Sequence, residues 1–316
     1  MNEYRGKHAP TRPWPVASTA SVKSRRGRHV KKSRRRRIRT LLFVMLMLAL
    51  LIYPLIEARI LTVDKQTYTF EDLPADANHL RVVYLSDIHW GFWYNDSDLN
   101  RLVSRINSLR PDLVLFGGDY ATDSTTAVQF FGHLRKMGTI HARYGIYGVL
   151  GESDCGDSAF DRSELLDAMR NADVTPLVNQ AASINIGSGR IWIAGSDDAT
   201  GGNPDLKYIA GKVSSSDYVI FLAHNPALIQ PAQQQTDKNG SFGWFDLGLF
   251  GHTHGGQMPL FSSWLGLGED IPDRYQQGWK EENRSKLLIS RGVGTSMLPC
   301  RLFCFPQIHC IELTTR

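Results

Sequence analysis

Eight side chains able to bind a metal ion or move a proton fall in short motifs scattered along the chain. Asp87 and His89 lie in Ser86-Asp87-Ile88-His89, Asp119 in Gly117-Gly118-Asp119, and Glu152 and Asp154 in Gly151-Glu152-Ser153-Asp154. His224 sits in Ala223-His224-Asn225, and His252 and His254 in Gly251-His252-Thr253-His254-Gly255-Gly256. Imidazole nitrogen mixed with carboxylate oxygen, without cysteine, suits divalent first-row metals such as Mn, Fe or Zn. Two such ions about 3.5–4 Å apart polarise a phosphoryl group and generate a hydroxide nucleophile near neutral pH. Each residue alone has an ordinary explanation. An aspartate after a strand usually closes a turn or caps a helix, and a lone histidine is more often structural, the reading adopted for His8, His29, His79, His133, His141 and His309.

The elements between the motifs make the set informative. Leu80 to Leu85 is a short apolar run of the kind buried in a parallel sheet, and it ends just before Asp87. Asp96 or Ser97 can cap a helix that puts Leu99, Leu102, Val103, Ile106 and Leu109 on one face, and Pro111 closes it. Leu113 to Phe116 is the next strand, completing a βαβ unit that ends before Asp119. A helix is expected through Val128 to Leu134, a strand at Ile146 to Leu150, a helix over Ser163 to Ala172 and a hairpin at Ile184 to Ile193. Further strands are expected at Tyr218 to Leu222, Leu247 to Phe250, Leu287 to Ile289 and Ile308 to Leu313. Ligands of open α/β sheets bind beyond the carboxyl ends of the strands, and five strand ends here deliver ligand-type side chains to one rim.

Taken together, these motifs resemble the calcineurin-like metallophosphoesterase superfamily over about residues 78–316. Gly251 to Gln257, Ser290-Arg291-Gly292-Val293-Gly294-Thr295-Ser296 and Leu298-Pro299-Cys300-Arg301 look like its membrane-associated bacterial branch. That branch includes phosphodiesterases and UDP-2,3-diacylglucosamine pyrophosphatases. The resemblance implies an α/β fold, a four-layer α/β/β/α sandwich. It implies that Asp87, His89 and His254 hold one divalent metal and that His224 and His252 hold the second, with the residue at position 152. Asp119 would bridge the two, and a bridging hydroxide would attack phosphorus in line.

One motif departs from the family pattern of Gly-Asn-His-Asp or Gly-Asn-His-Glu. Glu152 stands in place of the amide ligand and Ser153 in place of the imidazole that contacts phosphate and assists the leaving group. Glu152 remains a competent ligand; it would bring the site toward electrical neutrality, tightening metal binding and weakening attraction for phosphate. Ser153 can donate a hydrogen bond but cannot act as an acid near pH 7, so good leaving groups are favoured. Asp119, Ser153 and Asp154 are the candidate catalytic residues, and Arg291 and Arg301 are candidate phosphate clamps, since guanidinium pairs bidentately with phosphate oxygens. Cys155, Cys300, Cys304 and Cys310 leave a disulfide open in an oxidising compartment.

Of 316 residues, 42% are hydrophobic and 21% charged, enough apolar material to exclude a wholly disordered chain. The net charge of +5 conceals a division. Residues 1–40 carry 14 Lys and Arg against Glu3 alone, a balance of +13, while the other 276 residues carry 22 basic and 30 acidic side chains, a balance of −8. The basic segment is expected to be a disordered tail. Leu41 to Ile56 follows it without a charge and reads as a transmembrane helix, about 24 Å long and extendable through Thr40 and Ile38. Residues 57–77 read as a linker and 78–316 as one catalytic domain. The arginines place the N-terminus in the cytoplasm and the domain outside, on a bacterial inner membrane crossed once. The expected partners are a phosphate-ester or pyrophosphate substrate, lipid-linked ones included, and membrane lipids at the anchor and basic tail. No nucleic-acid partner is expected, because lipid headgroups are the nearer anions. The alternative is a catalytically silent, membrane-tethered binding protein that keeps the fold. Protease added to sealed cells is expected to digest the domain; a protected domain would reverse the orientation.

Overall fold

The computed structural model describes residues 12, 13, 15, 26–91, 93–156, 160–259, 271–296 and 298–316. The chain divides into two compact units, residues 1–50 and 51–316. The described part of the first is dominated by helix α1 (Arg26–Glu57), which continues into the second. Within α1, the 24-residue span Arg34–Glu57 contains an 18-residue stretch of mean hydropathy 2.3; the whole span is about 36 Å long, enough to cross a hydrocarbon core of about 30 Å. Leu41, Phe43, Leu46 and Leu50 on it are exposed. Residues 26–40, expected to be disordered, are helical instead. Arginine and lysine are good helix formers, and an apolar helix that is already nucleated propagates into them at little cost.

The second unit contains two six-stranded sheets. The first is built from β1 (Thr62–Phe70), β2 (Leu80–Leu85), β3 (Leu113–Phe116), β4 (Ile146–Gly148), β5 (Val174–Pro176) and the C-terminal strand (Gln307–Thr315). The second is built from β6 (Gln180–Ile186), β7 (Gly189–Gly195), β8 (Tyr218–Leu222), β9 (Leu247–Phe250), β10 (Gly278–Glu282) and β11 (Ser285–Ile289). With the C-terminal strand as β12, the orders are β1-β12-β2-β3-β4-β5 and β10-β11-β9-β8-β7-β6. Strands β2 to β5 run parallel, as do β7, β8, β9 and β11, so each sheet presents a row of carboxyl ends on one side.

Alternation along the strands sets the layers, because successive side chains point to opposite faces. Val83, Leu85, Val114 and Phe116 pack with α2 (Asp96–Ser108), α3 (Ser124–Met137) and α5 (Arg162–Asn171); between α3 and α5 lies the one-turn α4 (Glu152–Cys155). Val82, Tyr84, Leu113 and Leu115 meet Tyr218, Ile220, Leu222 and Leu288 between the sheets. Val219, Phe221, Leu287 and Ile289 face α6 (Leu206–Ala210) and the second sheet's outer layer, which also holds α7 (Ile229–Gln233). The result is the expected α/β/β/α sandwich. Helix α2 is capped by Asn95, one residue before the expected Asp96 or Ser97: Asn95 accepts from the Ser97 and Asp98 amides while Asp98 reaches back to the Asn95 amide, a capping box.

The linker reading of residues 57–77 is corrected by β1, which pairs in parallel with β12 along its whole length, Thr62 with Gln307 through Phe70 with Thr315. Its polar composition, with Lys65, Gln66 and Thr67 exposed, is that of an edge strand and carries no apolar alternation to read. The last turn of α1 is also part of this unit. Pro54 O accepts the Arg301 amide at 2.9 Å, and the Glu57 carboxylate, fully buried, accepts the amides of Phe303 at 3.1 Å and Cys304 at 2.6 Å. Replacing Glu57 with alanine strands both donors, so Glu57→Ala is expected to lose about 2–4 kcal/mol of stability. Thermal unfolding of the detergent-solubilised chain and hydrogen exchange at residues 303–304 measure this; unchanged exchange there would refute it.

Candidate metal centre

Six of the expected metal ligands gather at the shared rim of the two sheets. Strand β2 delivers Asp87 and His89, β3 Asp119, β8 His224, and β9 both His252 and His254. They form two groups, Asp87, His89 and His254 in one and Asp119, His224 and His252 in the other, with the ligand atoms of each group within 4.8 Å of one another. Asp119 Oδ2 lies 3.3 Å from His224 Nε2 and 3.5 Å from His89 Nε2, so a single carboxylate faces both groups. Asp87 Oδ1 is 3.7 Å from His254 Nε2, and the Nε2 atoms of His89 and His254 are 3.0 Å apart.

The backbone is strained to make this possible. Asp87, His89, Asp119, His252 and His254 all have positive φ, between 46° and 71°. A non-glycine residue held there costs about 1–3 kcal/mol and persists only where its surroundings fix it. Asp154 supplies part of that fixing. Its carboxylate, fully buried, accepts the amides of Asp119 at 2.7 Å, Tyr120 at 3.0 Å and Gly151 at 2.8 Å. Ser86 Oγ donates to Asp87 Oδ2 at 2.5 Å and the His252 amide to Asp87 Oδ1 at 2.9 Å. Gly118, at φ 88°, passes so close to Gly151 that a Cβ would meet its backbone.

Charge and tautomer suit a cation. His224 is fully buried, and its Nδ1 lies 2.7 Å from Gly117 O, a contact that requires the proton on Nδ1. Its Nε2 then presents a lone pair and has no hydrogen-bond partner. An orphaned buried nitrogen aimed at two carboxylates is the form a metal requires. Burial disfavours a charged His224, but the charges of Asp119 and Asp87 outweigh it and favour a proton there. Burial also opposes ionisation of Asp119, yet His224 and His89 hold its carboxyl below the usual carboxylate range. The field that attracts a proton between these groups attracts a divalent ion in its place. Burial, then His89 and Arg301, keep His254 below the ordinary histidine range and therefore neutral, the ligating form.

The remaining expected residues sit elsewhere. Glu152 is exposed at the start of α4, outside both groups, so the neutral site expected from its carboxylate does not arise in this arrangement. Ser153 Oγ lies 2.8 Å from Asp119 Oδ1 and 3.0 Å from Ala121 O, and its amide donates to Asp119 Oδ1 at 3.0 Å. It steadies the shared carboxylate. Arg301 is not a phosphate clamp: it is fully buried, donates to Gly294 O and Cys304 O, and places Nη2 3.3 Å from His254 Nδ1. Arg291 is half-buried, donates to Gln277 Oε1 at 2.7 Å and makes no ion pair among the described residues. All four cysteines are free. Sequence reasoning missed Ser86, Cys304 and Glu57, whose support of the ligands comes from contacts across the fold; only Ser86, next to Asp87, carried a local signal.

Comparison with known proteins agrees with this geometry. The family described as calcineurin-like phosphoesterase matches residues 80–256. The "Uncharacterized metallophosphoesterase YkuE" of Bacillus subtilis is 25% identical over 259 residues, 82% of this chain and 87% of that protein. The "Uncharacterized metallophosphoesterase Cj0846" of Campylobacter jejuni is 29% identical over 83% of this chain and 66% of its own length. A zebrafish "Transmembrane protein with metallophosphoesterase domain" is 31% identical over 60% of this chain and 43% of its own length. Elemental analysis of the purified chain tests the shared carboxylate. The wild type is expected to retain two metal ions and Asp119→Asn neither, whereas one ion kept by the variant would assign Asp119 to a single site.

Proposed function

The chain belongs to the calcineurin-like phosphoesterase family, and on that premise we propose that it is a membrane-anchored, two-metal phosphohydrolase cleaving a phosphodiester or pyrophosphate bond. The observation that carries the reading is the pair of three-ligand groups on either side of Asp119. Bound there, divalent ions supply Lewis-acid polarisation of a phosphoryl oxygen and a water made acidic near neutral pH. Asp87, His89 and His254 would hold one ion, His224 and His252 the other, and Asp119 both. Arg291 is the remaining candidate to bind phosphate. The apolar helix supports membrane attachment, and the arginines before it support a domain outside the cytoplasm. The substrate is then an extracytoplasmic phosphate ester or anhydride, lipid-linked ones included.

Position 153 governs the choice of bond. Ser153 directs its hydroxyl and amide at Asp119 and Ala121, and no imidazole stands at this position to protonate a departing alkoxide. General acid assistance is worth about 10²–10⁴-fold and matters most for poor leaving groups. The metal-loaded chain is therefore expected to cleave bis-aryl diesters or pyrophosphates faster than alkyl monoesters, by roughly that factor. The opposite preference would overturn this account of Ser153. Two bound metals without turnover of any of these would favour the silent binding protein, a reading to which the exposed position of Glu152 lends weight.

A further inference from the structure

On leaving the apolar helix the chain runs through Ala58, Arg59, Ile60 and Leu61 before entering β1. Ala58, Arg59 and Leu61 of this passage line a cavity of about 250 Å³ together with Arg101 and Arg105 of α2 and the apolar Tyr94, Val293 and Pro306. Three guanidinium groups therefore face a space whose lining includes a single carboxylate, Asp98. That carboxylate is already committed: it is buried, accepts Arg59 Nη1 at 2.7 Å and the Asn95 amide at 3.0 Å, and is paired with Arg101 as well. Arg105, one turn beyond Arg101, makes no ion pair among the described residues and is exposed. A residual balance of two positive charges thus collects on apolar lining, in a part of the chain whose balance is negative. Like charges brought together this way repel unless an anion joins them.

The surroundings identify the anion's source. Ile60, Leu298 and Phe303 expose 45%, 53% and 66% of their surface, and the Phe303 amide is bonded to Glu57, the last residue of α1. Trp93, beside Arg59 in an adjoining hollow, is also exposed. Exposed aromatic and aliphatic side chains in the segments that supply and follow these lining residues, on a chain that has just left a membrane-length helix, match the composition of a bilayer interface. Arginine forks match phosphate oxygens bidentately.

We propose that this cavity is a binding site for the phosphate of an anionic phospholipid headgroup, held by Arg59, Arg101 and Arg105 while its apolar lining meets the lipid. The site is separate from the metal centre but touches its frame. Val293 lines the cavity, its amide donates to Ser86 O at 3.0 Å, and the Gly294 amide donates to Asp87 O at 2.7 Å. The lining of the cavity is thus one hydrogen bond away from the turn that carries Asp87. The proposal rests on the membrane attachment inferred above but not on catalysis.

The test is native mass spectrometry of the full chain in detergent, titrated with phosphatidylglycerol, phosphatidylcholine or inorganic phosphate. The basic tail is common to every variant, so differences report the cavity. Phosphatidylglycerol binding is expected to weaken about fivefold in R105Q and about 25-fold in R101Q/R105Q, and to stay unchanged in the charge-matched control R170Q/R190Q. R105Q sacrifices no ion pair, which keeps the test valid should R101Q/R105Q fold poorly. Equal binding by wild type and R105Q would overturn the site, as would an equal loss in the control. Equal retention of phosphatidylcholine would remove the anion, and phosphate that displaces the lipid at matching concentration would make it a free-anion site. Hydrolysis of a soluble diester, followed in the same samples, is expected to persist in R105Q. Its absence from wild type would refute the catalytic reading and leave the lipid result standing.

Discussion

The carboxylate of Asp119 is the constraint on which the rest of the site depends. It must face His89 from the strand beside it and His224 from the other sheet at once, at 3.5 and 3.3 Å. No ordinary strand-to-helix connection aims a side chain that way, and the backbone answers with a left-handed turn at Asp119. Asp154 makes the turn tenable by drawing in three amides, and Ser153 then steadies Oδ1. The Gly-Glu-Ser-Asp motif thus serves Asp119 with its last two residues and sends its glutamate to solvent. The departures from the family pattern at its two middle positions, 152 and 153, remove a ligand and an imidazole while leaving the turn itself intact.

Much of this was legible from pattern alone. Residues buried on both faces of a parallel sheet form continuous apolar runs, which is why β2, β3, β8 and β9 appear in the sequence at the boundaries they have in the fold. Because ligand motifs follow those runs directly, the rim could be read before any contact was known. Two edge strands gave no such signal: β1 and β10 carry Asp64, Lys65, Lys280 and Glu281, and only pairing reveals them. Arg301 illustrates a second limit. An arginine near a phosphate-processing motif invites a substrate role, whereas its burial and its bonds to Gly294 and Cys304 show a strut beneath His254. Residue type announces charge, but only packing shows which way the charge points.

Electrostatics favours cations here for reasons that need no particular metal. Two buried carboxylates oppose four imidazoles, and one of the four, His224, has its Nδ1 proton committed to Gly117 O. The balance of ligand charge is modest, since Glu152 stands outside both groups. Two dications would therefore leave net positive charge at the rim, which draws a phosphate inward where a neutral centre would not. On the proposed function, the departure at position 152 would cost a ligand and preserve attraction for an anionic substrate.

Glu57 shows how far the frame of the site extends. A glutamate in the last turn of a helix is locally unfavourable, because the helix C-terminus carries partial negative charge, and α1 has no basic residue there to offset it. Its reason is tertiary. The carboxylate takes the amides of Phe303 and Cys304, and Pro54 takes that of Arg301. Cys304 Sγ lies 3.2 Å from His254 O, and Arg301 reaches His254 Nδ1. A short run of hydrogen bonds therefore leads from the end of a membrane-length helix to a candidate metal ligand. Local preference was overridden where the helix meets the domain, and the same contacts that order the chain as it leaves that helix also order His254.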